Sequence, residues 1–197
     1  MVKKKILKIK NNFIKFLLLF TTVFLLCYFG ALFITGLAVE GGMYNRLVAK
    51  YFDIAGWLRT SLIVGTKLFI SLFNIETVRT NDYVLRIPGA NSIRIVYSCL
   101  GFGVMSFWVA YIIATAGAVR AKSFWLFGGL LIIWFINTVR ISMVLLAGYK
   151  GWKFPFGWDH HSWFNIAAYS SIFCMMYFFE RTINKNKMHE GGSINLQ

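Results

Sequence analysis

Proline is nearly absent from this chain, with two in 197 residues, and acidic side chains are scarce at seven. Charged residues of both signs make up only 14%. An ordinary soluble domain carries about a quarter, so the sequence lacks the means to cover itself with a solvated surface. Cysteine is limited to three, an odd number without paired spacing, which excludes a disulfide framework. Internal repeats and low-complexity segments are also missing, and the chain reads as one domain, 1–197. What is present in excess is apolar: 58% hydrophobic and 18% aromatic residues.

The net charge is +14. A nucleic-acid-binding protein gathers such charge on a soluble surface. Here the basic residues flank long apolar runs, as membrane topology requires, so membrane lipids are expected around the chain and nucleic acid is not an expected partner. The first run, 16–39, has no charge and is long enough to cross about 30 Å of hydrocarbon. Lys3, Lys4, Lys5, Lys8, Lys10 and Lys15 precede it. A basic start before an apolar stretch also fits a signal peptide. This run exceeds the usual signal core and lacks a clean small-x-small cleavage site, which favours an uncleaved anchor. Further runs lie at 100–119, at 123–146 with Arg140 as its one charge, and at 162–179.

Between the first two runs, 46–74 is apolar but carries Arg46, Lys50, Asp53, Thr60, Lys67, Ser71 and Asn74 on a three-to-four-residue rhythm. That pattern predicts an amphipathic helix on the membrane or against the bundle, with a fifth span as the alternative. Four spans place the N-terminus, the Arg120–Lys122 hinge and the basic tail from Arg181 all in the cytoplasm, whereas five put one of them outside. Alternating Ile93, Ile95 and Tyr97, with the turn cluster Pro88-Gly89-Ala90-Asn91, predict a small extracytoplasmic β-hairpin within 77–97. The expected fold is an all-α integral membrane bundle of four spanning helices, with five as the alternative, one amphipathic helix and this hairpin.

Candidate chemistry gathers at one end of that bundle. Cys99 lies at the outer start of the 100–119 run, where a helix N-terminus stabilises a thiolate. Cys27 and Cys174 sit deep in apolar runs and read as packing. Arg140 interrupts an apolar span, which makes it a functional-site candidate, although a snorkelling arginine gives the same pattern. It falls about 10 Å below the outer surface if the span ends near Ala147. Asn137 precedes it by one turn on the same face. Asp159, His160 and His161 mark the mouth of the last run, among Trp152, Trp158 and Trp163 of an interfacial aromatic belt. Adjacent residues diverge in direction and no HxxxH or HExxH partner exists, so no metal or cofactor is expected. A thiolate, an imidazole and a guanidinium on one side form a set suited to acyl transfer.

The order "SCLGFG", "NTVRI" and "DHHSWFN" resembles the exosortase/archaeosortase family, over about 83–177. The resemblance implies a compact bacterial member: a membrane-embedded cysteine transpeptidase that processes C-terminal sorting signals of exported proteins. Such a signal combines a short motif, a membrane helix and a basic tail. Cys99 matches the family's nucleophile, Gly101 its motif glycine, and Asn137 and Arg140 its Asn-x-x-Arg pair. His161 matches the histidine, preferred to His160 because Asn165 four residues on stands where the family often has a small residue. Leu100 replaces the usual serine, which leaves oxyanion help to backbone N–H groups. The implied course is attack by Cys99, oxyanion stabilisation by Arg140, protonation of the leaving amine by His161, and transfer of the thioester to a surface acceptor such as a glycolipid. Simple hydrolysis uses the same residues. The implied location is the bacterial inner membrane, with the site facing outward. The competing expectation is a non-enzymatic accessory subunit of envelope or surface assembly.

Overall fold

The computed structural model describes residues 2–41, 43–90, 92–152 and 160–193, with the side chains of 2–9, 160–164 and 185–193 outside that description. Its helices run in the order α1 (Val2–Ala38), α2 (Arg46–Tyr51), α3 (Ile54–Ser71), α4 (Phe102–Ala114), α5 (Val119–Lys150) and α6 (His160–Ser193). Strands β1 (Val78–Arg79), β2 (Val84–Arg86) and β3 (Ser92–Arg94) lie between α3 and α4.

Among the described residues, two helices are long and apolar enough to cross a membrane: Lys10–Ala38 within α1, and α5. The first contains most of the expected run 16–39. The second begins four residues before the expected 123–146 run and ends four beyond it, so Arg120 and Lys122 belong to its first turn rather than to a hinge. The expected 100–119 span is the shorter α4, 13 residues or about 20 Å, less than the roughly 30 Å of a hydrocarbon core. It starts only after Gly101, whose φ of 79° is left-handed, and ends where Thr115 turns extended. α6 runs past the expected 162–179 at both ends.

The segment 46–74 is two helices, not one. Asn45 accepts from the backbone N–H groups of Leu47 and Val48 and so caps α2. Asp53 accepts from Gly56 N–H at 2.8 Å and starts α3 afresh. Each short polar side chain satisfies donors that a helix start leaves open, and the two caps override the continuous periodicity. Asn74, at φ 55°, lies in the left-handed region just beyond the C-terminal end of α3. The strand signals at 77–79, 83–87 and 92–97 each contain a strand, and all three pair, so that 77–97 forms a three-stranded antiparallel sheet in the order β1-β2-β3 rather than a hairpin alone. Its register pairs Val78 with Arg86 and Leu85 with Ile93.

Two apolar clusters hold these elements. One joins α3, the sheet and the C-terminal half of α5 through Leu62, Ile70, Leu85, Ile95, Ile141 and Leu145. The other joins α4, the N-terminal half of α5 and α6 through Trp108, Tyr111, Ile133, Ile172, Phe179 and Ile183. Gly129 makes the second possible: a Cβ there would collide with the Trp108 indole, whose Nε1 donates to the Trp125 carbonyl at 3.1 Å. The fully buried members of α5 pass from Ile133 in the second cluster to Ile141 in the first, with Trp134 between them already packed against the first. Asn137 and Arg140 fall in the interval between them.

Candidate functional site

The segment leading to Cys99 is built from backbone bonds. Ile95 N–H donates to the Tyr83 carbonyl at 2.7 Å and prolongs the β2–β3 ladder. The chain then tightens into a 3-10 turn, Tyr97–Cys99, with Cys99 N–H donating to the Val96 carbonyl and Leu100 N–H to the Tyr97 carbonyl. Gly101 follows in its left-handed conformation, and α4 begins at Phe102. Cys99 therefore stands in the turn, three residues ahead of the first helical residue, so the helix start expected directly after it lies two residues further on. It is half-buried.

Asn137 ties this turn to α5. Its Nδ2 donates to the Cys99 carbonyl at 2.8 Å. A Cβ on Gly101 would sit 3.4 Å from the same Nδ2. Glycine is thus favoured at 101 by its positive φ, while a Cβ there would make only an ordinary contact with the amide. Leu100 is fully buried in the first apolar cluster. A serine in its place would put a hydroxyl into that core at a cost of about 1–3 kcal/mol if unpaired, which accounts physically for the leucine.

Gly101, Asn137, Arg140 and Asn165 line one narrow cleft between α4, α5 and α6, of about 60 Å³. Four of the seven residues singled out by sequence are thus brought together, and Cys99 is joined to them through its carbonyl. Asn165 reaches the cleft from the second turn of α6, the helix that His160 opens. Asp159 and the side chains of His160 and His161 lie outside the described residues. Position 161 precedes Asn165 by four residues, one turn along the same helix.

Sequence reasoning misses Ala168, Ser171 and Met175, which continue the cleft wall below Asn165. Their three-to-four-residue spacing is a visible signal, but small and apolar residues on a span have no distinctive chemistry. It also misses Tyr97 as a buried polar group. Tyr97 stacks on Phe102 with ring centres 5.1 Å apart, and its hydroxyl is buried without a hydrogen-bond partner among the described residues. Burial, and then the neighbouring Tyr28, hold its pKa above the ordinary phenol range. Val104 lines both the cleft and an adjoining apolar groove of about 660 Å³, walled by Phe24 and Tyr28 of α1, Phe107 of α4 and Phe173 of α6.

No protein-family model, curated protein or solved structure matches this chain.

Proposed function

We propose that this chain is an exosortase-like, membrane-embedded cysteine transpeptidase. In this reading the helices form a four-span bundle in the bacterial inner membrane with the cleft facing outward. The observation that carries it is the Asn137 bond to the Cys99 carbonyl beside a cleft shared by Gly101, Arg140 and Asn165. A candidate nucleophile whose carbonyl is held by Asn137, one turn from a guanidinium that lines the cleft, suits acyl transfer once the Cys99 side chain turns from the first apolar cluster toward the cleft. The exposed apolar surface of α1, with Phe13 at 62%, Leu18 at 64% and Leu26 at 69%, supports the membrane setting.

The exported substrate enters with its own C-terminal membrane helix beside the adjoining groove, which raises the effective concentration of its cleavage motif. The Cys99 thiolate attacks the scissile carbonyl, and Arg140 stabilises the tetrahedral oxyanion. The C–N bond breaks as His161, or His160, protonates the leaving amine. The resulting thioester passes to an amine or hydroxyl of a surface acceptor, such as a glycolipid, or to water. Asn137 acts as a positioning residue.

The test is a pulse-chase of surface proteins with helix-ended, basic C-termini in cells carrying wild type, Cys99→Ala or Cys27→Ala. We expect Cys99→Ala alone to abolish processing, a loss of several orders of magnitude in rate. Equal processing in all three strains would sink the enzyme reading. The competing reading is an accessory subunit of envelope assembly. It is favoured by the fact that Asn137 and Leu100 each have a complete structural role without any chemistry. That reading requires normal processing in Cys99→Ala and impaired assembly in Arg140→Ala.

A further inference from the structure

Six residues of α3 are exposed, and they sort into two stripes. Trp57, Val64 and Leu68, at 58%, 51% and 65% exposure, form one. Thr60, Lys67 and Ser71 form the other. Each stripe steps by seven and then four residues, two turns and one, so it runs along the helix. The stripes are offset by three residues, which sets them side by side, about 60° apart around the axis. α2 repeats the arrangement: Leu47 and Tyr51 are one turn apart, as are Arg46 and Lys50, and all four are exposed.

The opposite face of α3 is committed to the protein. Leu62, Ile63 and Ile70 lie in the first apolar cluster with Leu85, Ile95 and Ile141. Arg59 Nε donates to the Ile95 carbonyl at 3.2 Å, and Trp134 Nε1 donates to Ser61 Oγ at 3.0 Å. The position of α3 therefore fixes that of the sheet and of the Cys99 turn that follows Ile95.

Neither bulk phase suits the exposed arc. In water, the Trp57 stripe is an uncovered apolar surface. In hydrocarbon, Lys67 is a charge that is costly to immerse. A helix lying at the boundary satisfies both stripes at once, with Trp57 where indoles are enriched at a membrane surface. The charge has one sign: Arg46, Lys50 and Lys67 are exposed, no acid is among the exposed residues of either helix, and Asp53 between them accepts from Gly56 N–H. That complements anionic headgroups. α1 packs against both helices and exposes Phe29 and Phe33, so the pair adjoins an apolar span.

We propose that α2 and α3 lie in the plane of the extracytoplasmic membrane surface, with Leu47, Tyr51, Trp57, Val64 and Leu68 in lipid and Arg46, Lys50 and Lys67 at anionic phospholipid headgroups. This surface sets the depth of the Cys99 turn. It rests on the membrane setting and not on the transpeptidase chemistry.

The test is the accessibility of nitroxide labels on the full chain, in vesicles of phosphatidylcholine alone or mixed with phosphatidylglycerol. Single cysteines are introduced in a Cys27→Ala, Cys99→Ala, Cys174→Ala background. Oxygen, which partitions into lipid, should relax labels at Trp57→Cys, Val64→Cys and Leu68→Cys, as it does at Leu26→Cys in α1. A water-soluble nickel chelate should relax labels at Thr60→Cys, Lys67→Cys and Ser71→Cys. All six positions on α3 are exposed, so the substitutions leave its packed face intact. Oxygen at both stripes would make α3 a lipid-immersed helix, nickel at both would put it in water, and neither reagent at the Trp57 stripe would mean a protein partner or a second copy covers it; each overturns the inference alone. Nickel at Leu26→Cys as well would overturn the membrane setting with it. Phosphatidylglycerol should move the Val64→Cys label deeper, and Lys50→Gln with Lys67→Gln should abolish that shift. Equal depth in the two vesicle types would overturn the assignment to anionic headgroups.

Discussion

α1 and α5 are alike as sequences and unlike as structures. Both are long, apolar and uninterrupted by proline, yet 6% of the apolar window in α1 is buried against 44% in α5. The difference lies in where the polar and small residues stand. α5 carries Asn137, Thr138 and Ser142 on its inward face, all buried. Thr138 and Ser142 return their hydroxyls to carbonyls one turn back, at 3.0 and 2.8 Å, so neither donor is left open. Gly129 admits Trp108, and Gly65 of α3 meets the Trp134 ring and Thr138. α1 shows large apolar side chains around most of its circumference, with Gly30 and Gly36 facing open space. Similar mean hydropathy, 2.4 in α1 and 2.1 in α5, therefore marks two roles, one helix that contacts its surroundings and one that organises the site.

Truncation of apolar residues separates the two helices most strongly. Ile141→Ala in α5, at 2% exposure, should cost about 2–5 kcal/mol of unfolding free energy, including the cavity left behind. Leu26→Ala in α1, at 69% exposure, should cost no more than about 0.5 kcal/mol. Denaturant titration in detergent compares the two, and equal costs would refute the division of roles. A smaller contrast comes from the glycines. Gly129→Ala should destabilise by about 1–3 kcal/mol through overpacking against Trp108. Gly30→Ala should be neutral, or stabilising by up to about 1 kcal/mol, because a helix gains from losing a glycine with nothing nearby. The same titration reads both, and a loss in Gly30→Ala matching that in Gly129→Ala would place α1 in a packed setting.

The smallest expected effect concerns the turn beside the cleft. Tyr97→Phe removes a buried hydroxyl that has no partner among the described residues and should stabilise the fold by about 1 kcal/mol. The wild-type phenol has its pKa raised in the folded state. Its neutral form therefore contributes stability that is complete below the unfolded value near 10 and is lost as pH rises through the folded value. Thermal midpoints followed above pH 10 should fall less steeply in Tyr97→Phe than in wild type. An unchanged slope would mean that the hydroxyl is not the group titrating there.

Much of the site is legible in the amino-acid sequence. The Asn137–Arg140 spacing puts both on one face of a span, and they do share a cleft with Gly101 and Asn165. The helix break at Phe52–Asp53 is harder to read, because the polar rhythm of 46–74 continues across it and only the Asn45 and Asp53 caps reveal two starts. The basic residues of that segment suggest a polar face, yet Arg59 points into the core, where the Ile95 carbonyl and the Tyr83 ring receive it. Partners 36 and 24 residues away along the chain cannot be inferred from local periodicity.

Local chemistry is written in the sequence of this protein: apolar runs that must become helices, the caps and left-handed glycine that start and stop them, and the spacing that aligns Asn137 with Arg140. Three features come from the tertiary fold instead. It selects which apolar helix is buried, it ties Cys99 to the cleft through its carbonyl rather than through a helix position, and it brings Arg59 to the Tyr83 ring. The division has a physical cause. Backbone hydrogen bonding and side-chain period act over a few residues, whereas burial and the pairing of polar groups depend on which segments the fold brings within a few ångströms of each other.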